Sequence, residues 1–115
     1  MPRELRLSRE ELKTLLGSRP PRLRGVFLDV AYGTALSGPK AACVVSKKTL
    51  PRAVDRVHVR RKIKAIVSSS LSEIHTPISV VFFVRANALE ASHEKLALDI
   101  QNLVEKALIS YNSRT

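Results

Sequence analysis

The 115-residue sequence has one cysteine, no tryptophan, four glycines and half as many acidic as basic residues. A single cysteine excludes an intrachain disulfide and a thiolate cluster for zinc, and it suits a reducing cytoplasm. Cys43 sits in the apolar run Ala41-Ala42-Cys43-Val44-Val45, so it reads as a packed thiol rather than a reactive one. With aromatics at only 4% of residues, a base-stacking sheet of the RNA-recognition-motif kind is poorly supported. No window approaches the ~18–20 apolar residues of a membrane span. Met1 to Arg9 alternates charge with leucine and lacks the continuous apolar stretch of a secretory signal. These absences describe a cytoplasmic protein with no membrane partner and no obligate protein partner evident.

Catalytic motifs are also lacking. His58, His75 and His93 are far apart and belong to no metal-binding pattern, and no Gly-rich phosphate loop, nucleophile elbow or H-E-x-x-H segment occurs. The isolated chain is therefore expected neither to catalyse a reaction nor to bind a metal or cofactor.

Positive charge is abundant. Twenty Lys and Arg against ten Asp and Glu give a formal charge of +10 and a pI near 10.5, and a hydrophobic fraction of 44% still allows a buried core. The charge is uneven: residues 1–64 carry sixteen basic and five acidic residues, and residues 65–115 carry four and five. One half is suited to meeting phosphate and the other to folding.

Periodicity divides residues 1–115 into the elements of one domain. Ser8 and Glu11 form a capping box for a short helix whose apolar face is Leu12, Leu15 and Leu16, ended by Gly17 and Pro20-Pro21. Residues 23–32 read as a strand broken at Gly33, Gly33 to Pro39 as a hairpin loop, and 41–47 as a second strand; a further short strand within 33–40 is left open. From Ala53 to about Ile74, Val59, Ile63, Ile66, Val67 and Ile74 recur at helical spacing, and Thr76-Pro77 closes the helix. Ile78 to Val84 is apolar enough for a central strand covered on both faces. Ser92 caps a last helix that runs to about Leu108. The fold class is α+β, a two-layer sandwich with a small mixed sheet.

Nine basic residues and one acid, Asp55, lie between Lys40 and Lys64. Lys47 and Lys48 end a strand. Arg56, Arg60 and Lys64, spaced by four, stack down one helix flank over ~12 Å, enough to touch more than one phosphate. Arg61 extends that surface, and His58 and Lys62 face further round. A merely solvated helix face normally interleaves Glu with Lys, and here acids are almost absent. No short helix and tight turn precede Arg52 to Lys64, so a helix-turn-helix reading is disfavoured and a folded RNA is the better partner. A ribosome-assembly protein and a small DNA-binding protein remain as alternatives.

Lys40-Ala41-Ala42-Cys43-Val44-Val45-Ser46-Lys47-Lys48, followed by Ala53 to Lys64, resembles the signature of the bacterial ribonuclease P protein component: a strand ending V-S-K-K, then a long helix with an R-N-R motif and a basic run. Most of residues 8–108 can be laid along that pattern, with the strong matches at 43–64. The resemblance implies a ribosomal protein S5 domain 2-like sandwich with a left-handed crossover between parallel strands. It implies a partner, the catalytic ribonuclease P RNA, with Mg²⁺ in the RNA holoenzyme, and a substrate, precursor tRNA, whose single-stranded 5′ leader lies in a cleft beside the basic helix. Residues implied to bind RNA are Lys40, Ser46, Lys47, Lys48, Arg52, Arg56, His58, Arg60, Arg61, Lys62 and Lys64; Leu12, Leu16 and Phe27 are the leader-cleft candidates. Two departures stand out. Val57 and His58 replace the asparagine and second arginine of R-N-R, and leucines replace the phenylalanines of the first helix. A divergent member and a paralogue with a different RNA target both fit these departures.

Overall fold

Ser8 and Glu11 close the capping box. The Ser8 hydroxyl accepts from the Glu11 N–H at 3.1 Å, and the Glu11 carboxylate accepts from the Ser8 N–H at 2.9 Å. These contacts with Ser8, and then Lys40, hold the Glu11 carboxyl below the usual range. The computed structural model describes residues 5–35 and 38–114. In order they form α1 (Arg9–Gly17), β1 (Arg22–Arg24), β2 (Leu28–Thr34), β3 (Lys40–Val44), α2 (Ala53–Leu71), β4 (Ile78–Val84), a 3₁₀ turn (Ala86–Leu89) and α3 (His93–Arg114). Ser92 caps α3 as expected, its hydroxyl accepting from the Lys95 N–H at 3.2 Å.

The four strands form one sheet in the order β1-β2-β4-β3. β4 pairs antiparallel with β2 and parallel with β3, and α2 makes the crossover that the parallel pair requires. Strand alternation then gives each face its role. Leu28, Val30 and Tyr32 of β2, Ala41 of β3, and Val80, Phe82 and Val84 of β4 enter the main core. They meet Val59, Ile63, Ile66, Val67 and Leu71 of α2, and Leu96, Ile100, Leu103, Val104 and Ala107 of α3. Burial of each large aliphatic contributes ~1.5–3 kcal/mol. On the opposite face, Ala31 and Val81 are covered by Leu7 and by Leu12 and Leu15 of α1.

The element order matches the sequence reading, with differences in detail. Residues 23–32 are a hairpin, not one strand: β1 and β2 pair antiparallel around a turn at Val26-Phe27. Two apolar turn residues imitate strand alternation, so the pattern hides the break. The turn is held from α3, where the buried Asp99 carboxylate accepts from the N–H groups of Val26, Phe27 and Leu28 at 3.0, 2.8 and 3.2 Å. Gly25 is required beside it, because a Cβ there would collide with the Leu28 carbonyl and lie 2.9 Å from both carboxylate oxygens.

The Gly33–Pro39 hairpin loop is also corrected. Gly33 and Thr34 complete β2, and β3 is not β2's neighbour, because β4 lies between them. Turn residues report that the chain turns, not what later fills the gap. Residues 36 and 37 of that expected loop lie outside the described residues. The additional strand is β1, not a segment of 33–40. α2 ends at Leu71, three residues earlier than read, and α3 continues past Leu108 to Arg114. The continuation is anchored by Tyr111, which packs against the main core and donates to the Pro77 carbonyl at 3.2 Å.

Asp99→Ala leaves three turn amides without their acceptor, and urea unfolding is expected to show a loss of about 2–4 kcal/mol. Leu98→Ala, at the exposed adjacent position, is expected to stay within about 0.5 kcal/mol. Cys43 packs against the main core, and burial raises its thiol pKa to about 11 despite the opposing charges of Arg60 and Lys64. Alkylation of the folded protein at pH 8 is therefore expected to be much slower than in denaturant; equal rates refute the packed thiol.

Candidate nucleic-acid interface

The β3–α2 connection is a tight polar turn. The Ser46 hydroxyl accepts from the Thr49 N–H at 3.1 Å and shares a 2.8 Å hydrogen bond with the Thr49 hydroxyl. Ser46 thus shapes the turn, and Lys47 and Lys48 are exposed at its tip. α2 follows at once, oriented by its buried stripe. Arg60 and Lys64 lie on the flank beside β3, near enough for their charges to act on Cys43. Arg61 and His58 are exposed further round. Among the described residues, Lys47, Lys48, Arg56, Arg60, Arg61 and Lys64 form no ion pair with a carboxylate.

Several expected RNA ligands make contacts within the fold. Lys40 forms an ion pair with Glu11 at 3.3 Å, tying β3 to α1. Lys62 lies on the other flank of α2 and donates to the Ala91 carbonyl at 3.1 Å, next to the start of α3. Arg56 directs one guanidinium nitrogen to the carbonyls of Leu50 and Pro51, both at 2.8 Å, bracing the entry to the helix. Arg52 is 77% exposed and only loosely paired with Asp55 at 3.9 Å.

A cleft of about 250 Å³ adjoins the turn on the sheet face away from α2 and α3. Arg22, Asp29, Val44, Ser46, Phe83 and Arg85 line it. The Arg22 guanidinium lies 4.0 Å from the centre of the Phe83 ring, and Arg85 pairs with Asp29 at 2.6 Å. β4 is therefore buried on both faces except at Phe83, which is half-buried. Of the three leader-cleft candidates, Leu12 packs on the Ala31–Val81 cluster and Leu16 is exposed on α1. Phe27 packs against the main core on the helix side, so the open face carries Phe83 in its place. Strand parity could have revealed this, since Phe83 alternates with the core residues Phe82 and Val84. Arg22 and Asp29 were hidden by the missed hairpin.

A larger cavity of about 680 Å³ lies between α1 and the far ends of β2 and β4. Glu10 and Glu11 stand on its wall, with Arg19 the one cation there among the described residues, so it suits phosphate less than the smaller cleft. Among the described residues there is no group of three or more His, Cys, Asp or Glu that could hold a metal ion. No helix among them is long and apolar enough to cross a membrane.

Known proteins agree with this geometry. The family described as Ribonuclease P matches residues 1–108. The chain is 26% identical to a ribonuclease P protein component from a Pseudanabaena species, over 98% of this chain and 99% of that protein. A second one, from a Cyanothece species, is 27% identical over 82% of this chain and 74% of its own. In fold, the chain is similar to the RNase P protein from Thermotoga maritima, with a TM-score of 0.75 at 16% identity over 88% of this chain and 96% of that one. The Staphylococcus aureus RNase P protein superposes with a TM-score of 0.67 at 19% identity, covering 92% and 94%. A mixed sheet backed by two helices, an acid-free cationic flank and a match along almost the whole chain place this protein in the ribonuclease P protein family.

Proposed function

We propose that the chain is the protein subunit of a cytoplasmic ribonuclease P, binding the catalytic RNA through the β3–α2 turn and α2, and the 5′ leader of precursor tRNA through the cleft at Phe83. The observation that carries the reading is the unpaired cationic flank. Lys47, Lys48, Arg60, Arg61 and Lys64 have no carboxylate partner among the described residues; the first two stand on the turn that leads into α2, and the other three are carried by the packed helix itself. Charges held in place beforehand lose little freedom on meeting a phosphate surface. Arginine adds a planar fork that holds phosphate through two hydrogen bonds.

Hydrolysis of the leader phosphodiester belongs to the RNA and its Mg²⁺. The chain's own part is to screen phosphate charge where RNA strands converge and to orient the leader. In the cleft, Phe83 offers an aromatic face, and Arg22 above it can hold a backbone phosphate or a base. Asp29 keeps Arg85 directed along the cleft floor.

Replacing Arg60, Arg61 and Lys64 by alanine is expected to lower the slope of log affinity against log salt by up to ~3, about one unit per lost phosphate contact. Lys62→Ala, which removes a contact to the Ala91 carbonyl, is expected to leave the slope unchanged. An unaltered slope in the triple variant locates RNA binding elsewhere. Adding the chain to a matching ribonuclease P RNA is expected to reduce the Mg²⁺ needed to cleave precursor tRNA. An unchanged requirement, with RNA still bound, reduces the protein to a general RNA binder such as a ribosome-assembly factor.

A further inference from the structure

We infer that Val54 and Val57 form a seat for one unstacked nucleobase of the RNA partner, so that α2 reads the shape of its RNA as well as its charge. The inference rests on the RNA-binding reading above and adds to it. Both valines are exposed on α2, at 68% and 44%. Spaced three apart, they are neighbours on one helix face, with Cβ atoms ~5–6 Å apart. Arg61 continues the same line one turn after Val57, and Arg52 and His58 border it, all three exposed.

Folding does not call for these valines. They lie off the buried stripe of Val59, Ile63, Ile66, Val67 and Leu71, and valine is a poorer helix former than the lysine or arginine that such a surface position usually holds. Single exposed aliphatics are ordinary. This pair differs because it is contiguous and lies inside a cationic surface. The other exposed large aliphatics among the described residues are scattered: Leu16 near the end of α1, Val26 at a turn, and Leu98 and Ile109 three turns apart on α3, near Glu94 and Glu105.

The surrounding charge selects the occupant. A second copy of this chain would bring its own net +10 against the same cations. A nucleobase presents an apolar π-face tethered to a phosphate, so the valines cover the face while Arg52 or Arg61 meets the anion. Bases free to do this occur in bulges, loops and junctions, where they can be splayed from the stack. Val57 stands where the family pattern has asparagine, so the preference belongs to this chain.

The test uses the full chain with V54S and V57S combined, titrated against a matching ribonuclease P RNA over a range of salt. Dissociation constants are expected to rise by roughly three- to tenfold with no change in salt slope, because an apolar contact releases no counterions. Val57→Leu, which keeps the apolar surface, is expected to retain wild-type affinity, and circular dichroism checks that both variants stay folded. A photo-crosslinker at position 57 is expected to mark an unpaired base. Unchanged affinity in the double variant, or crosslinks only to paired regions or to a second protein copy, overturns the inference and leaves the RNA-binding proposal standing. Failure of the wild type to bind the RNA removes both.

Discussion

Val59, Ile63, Ile66, Val67 and Leu71 leave α2 no rotational freedom, because turning the helix by one residue would expose the stripe and bury a cation. Everything proposed for the surface depends on that constraint. The side chains that meet solvent are those the apolar stripe leaves outside, and their spacing is set by helix geometry rather than by contacts among themselves. The sheet supplies the matching half, since alternate residues of β2, β3 and β4 form the floor on which the stripe rests. The same alternation delivers Phe83 to the opposite face, beside Arg22 and Asp29.

The cations divide into two groups that composition does not distinguish. Lys40, Lys62, Arg56 and Arg85 reach a carboxylate or a backbone carbonyl and join elements: β3 to α1, α2 to the start of α3, the β3–α2 turn to α2, and the end of β4 to β2. Lys47, Lys48, Arg60, Arg61 and Lys64 join nothing in the described residues. A net charge of +10 thus overstates the surface available to a polyanion. The first group keeps the second in position.

Features encoded locally were legible in the sequence. The capping box at Ser8 and Glu11, the stripe of α2, the apolar run of β4 and the single cap at Ser92 each lie within one element, set by spacings of a few residues. What stayed hidden depends on distant partners. The break at Val26-Phe27 needs Asp99, more than seventy residues away, to accept its amides. The separation of β2 from β3 needs β4, and the diversion of Lys40 and Lys62 needs Glu11 and the Ala91 carbonyl. On the candidate interface, the acid-poor flank could be read from spacing alone. The cleft could not, because its residues come from β1, β2, β3, β4 and the β3–α2 turn.

The strand order has a consequence for biosynthesis. β4 is made after every other strand, yet it occupies the position between β2 and β3. A ribosome that has delivered residues 1–77 has released a chain whose one available strand ladder among the described residues is the β1–β2 hairpin, and the central ladders must wait for residues 78–84. Until then β3 has no partner strand beyond a single bridge from Arg6 to Ala41, and α2 has no complete floor to pack on, while sixteen of the twenty cations have already emerged. The nascent protein therefore already carries the full net charge of +10 before its sheet can close, and closure by the last strand turns a sticky polycation into a selective one.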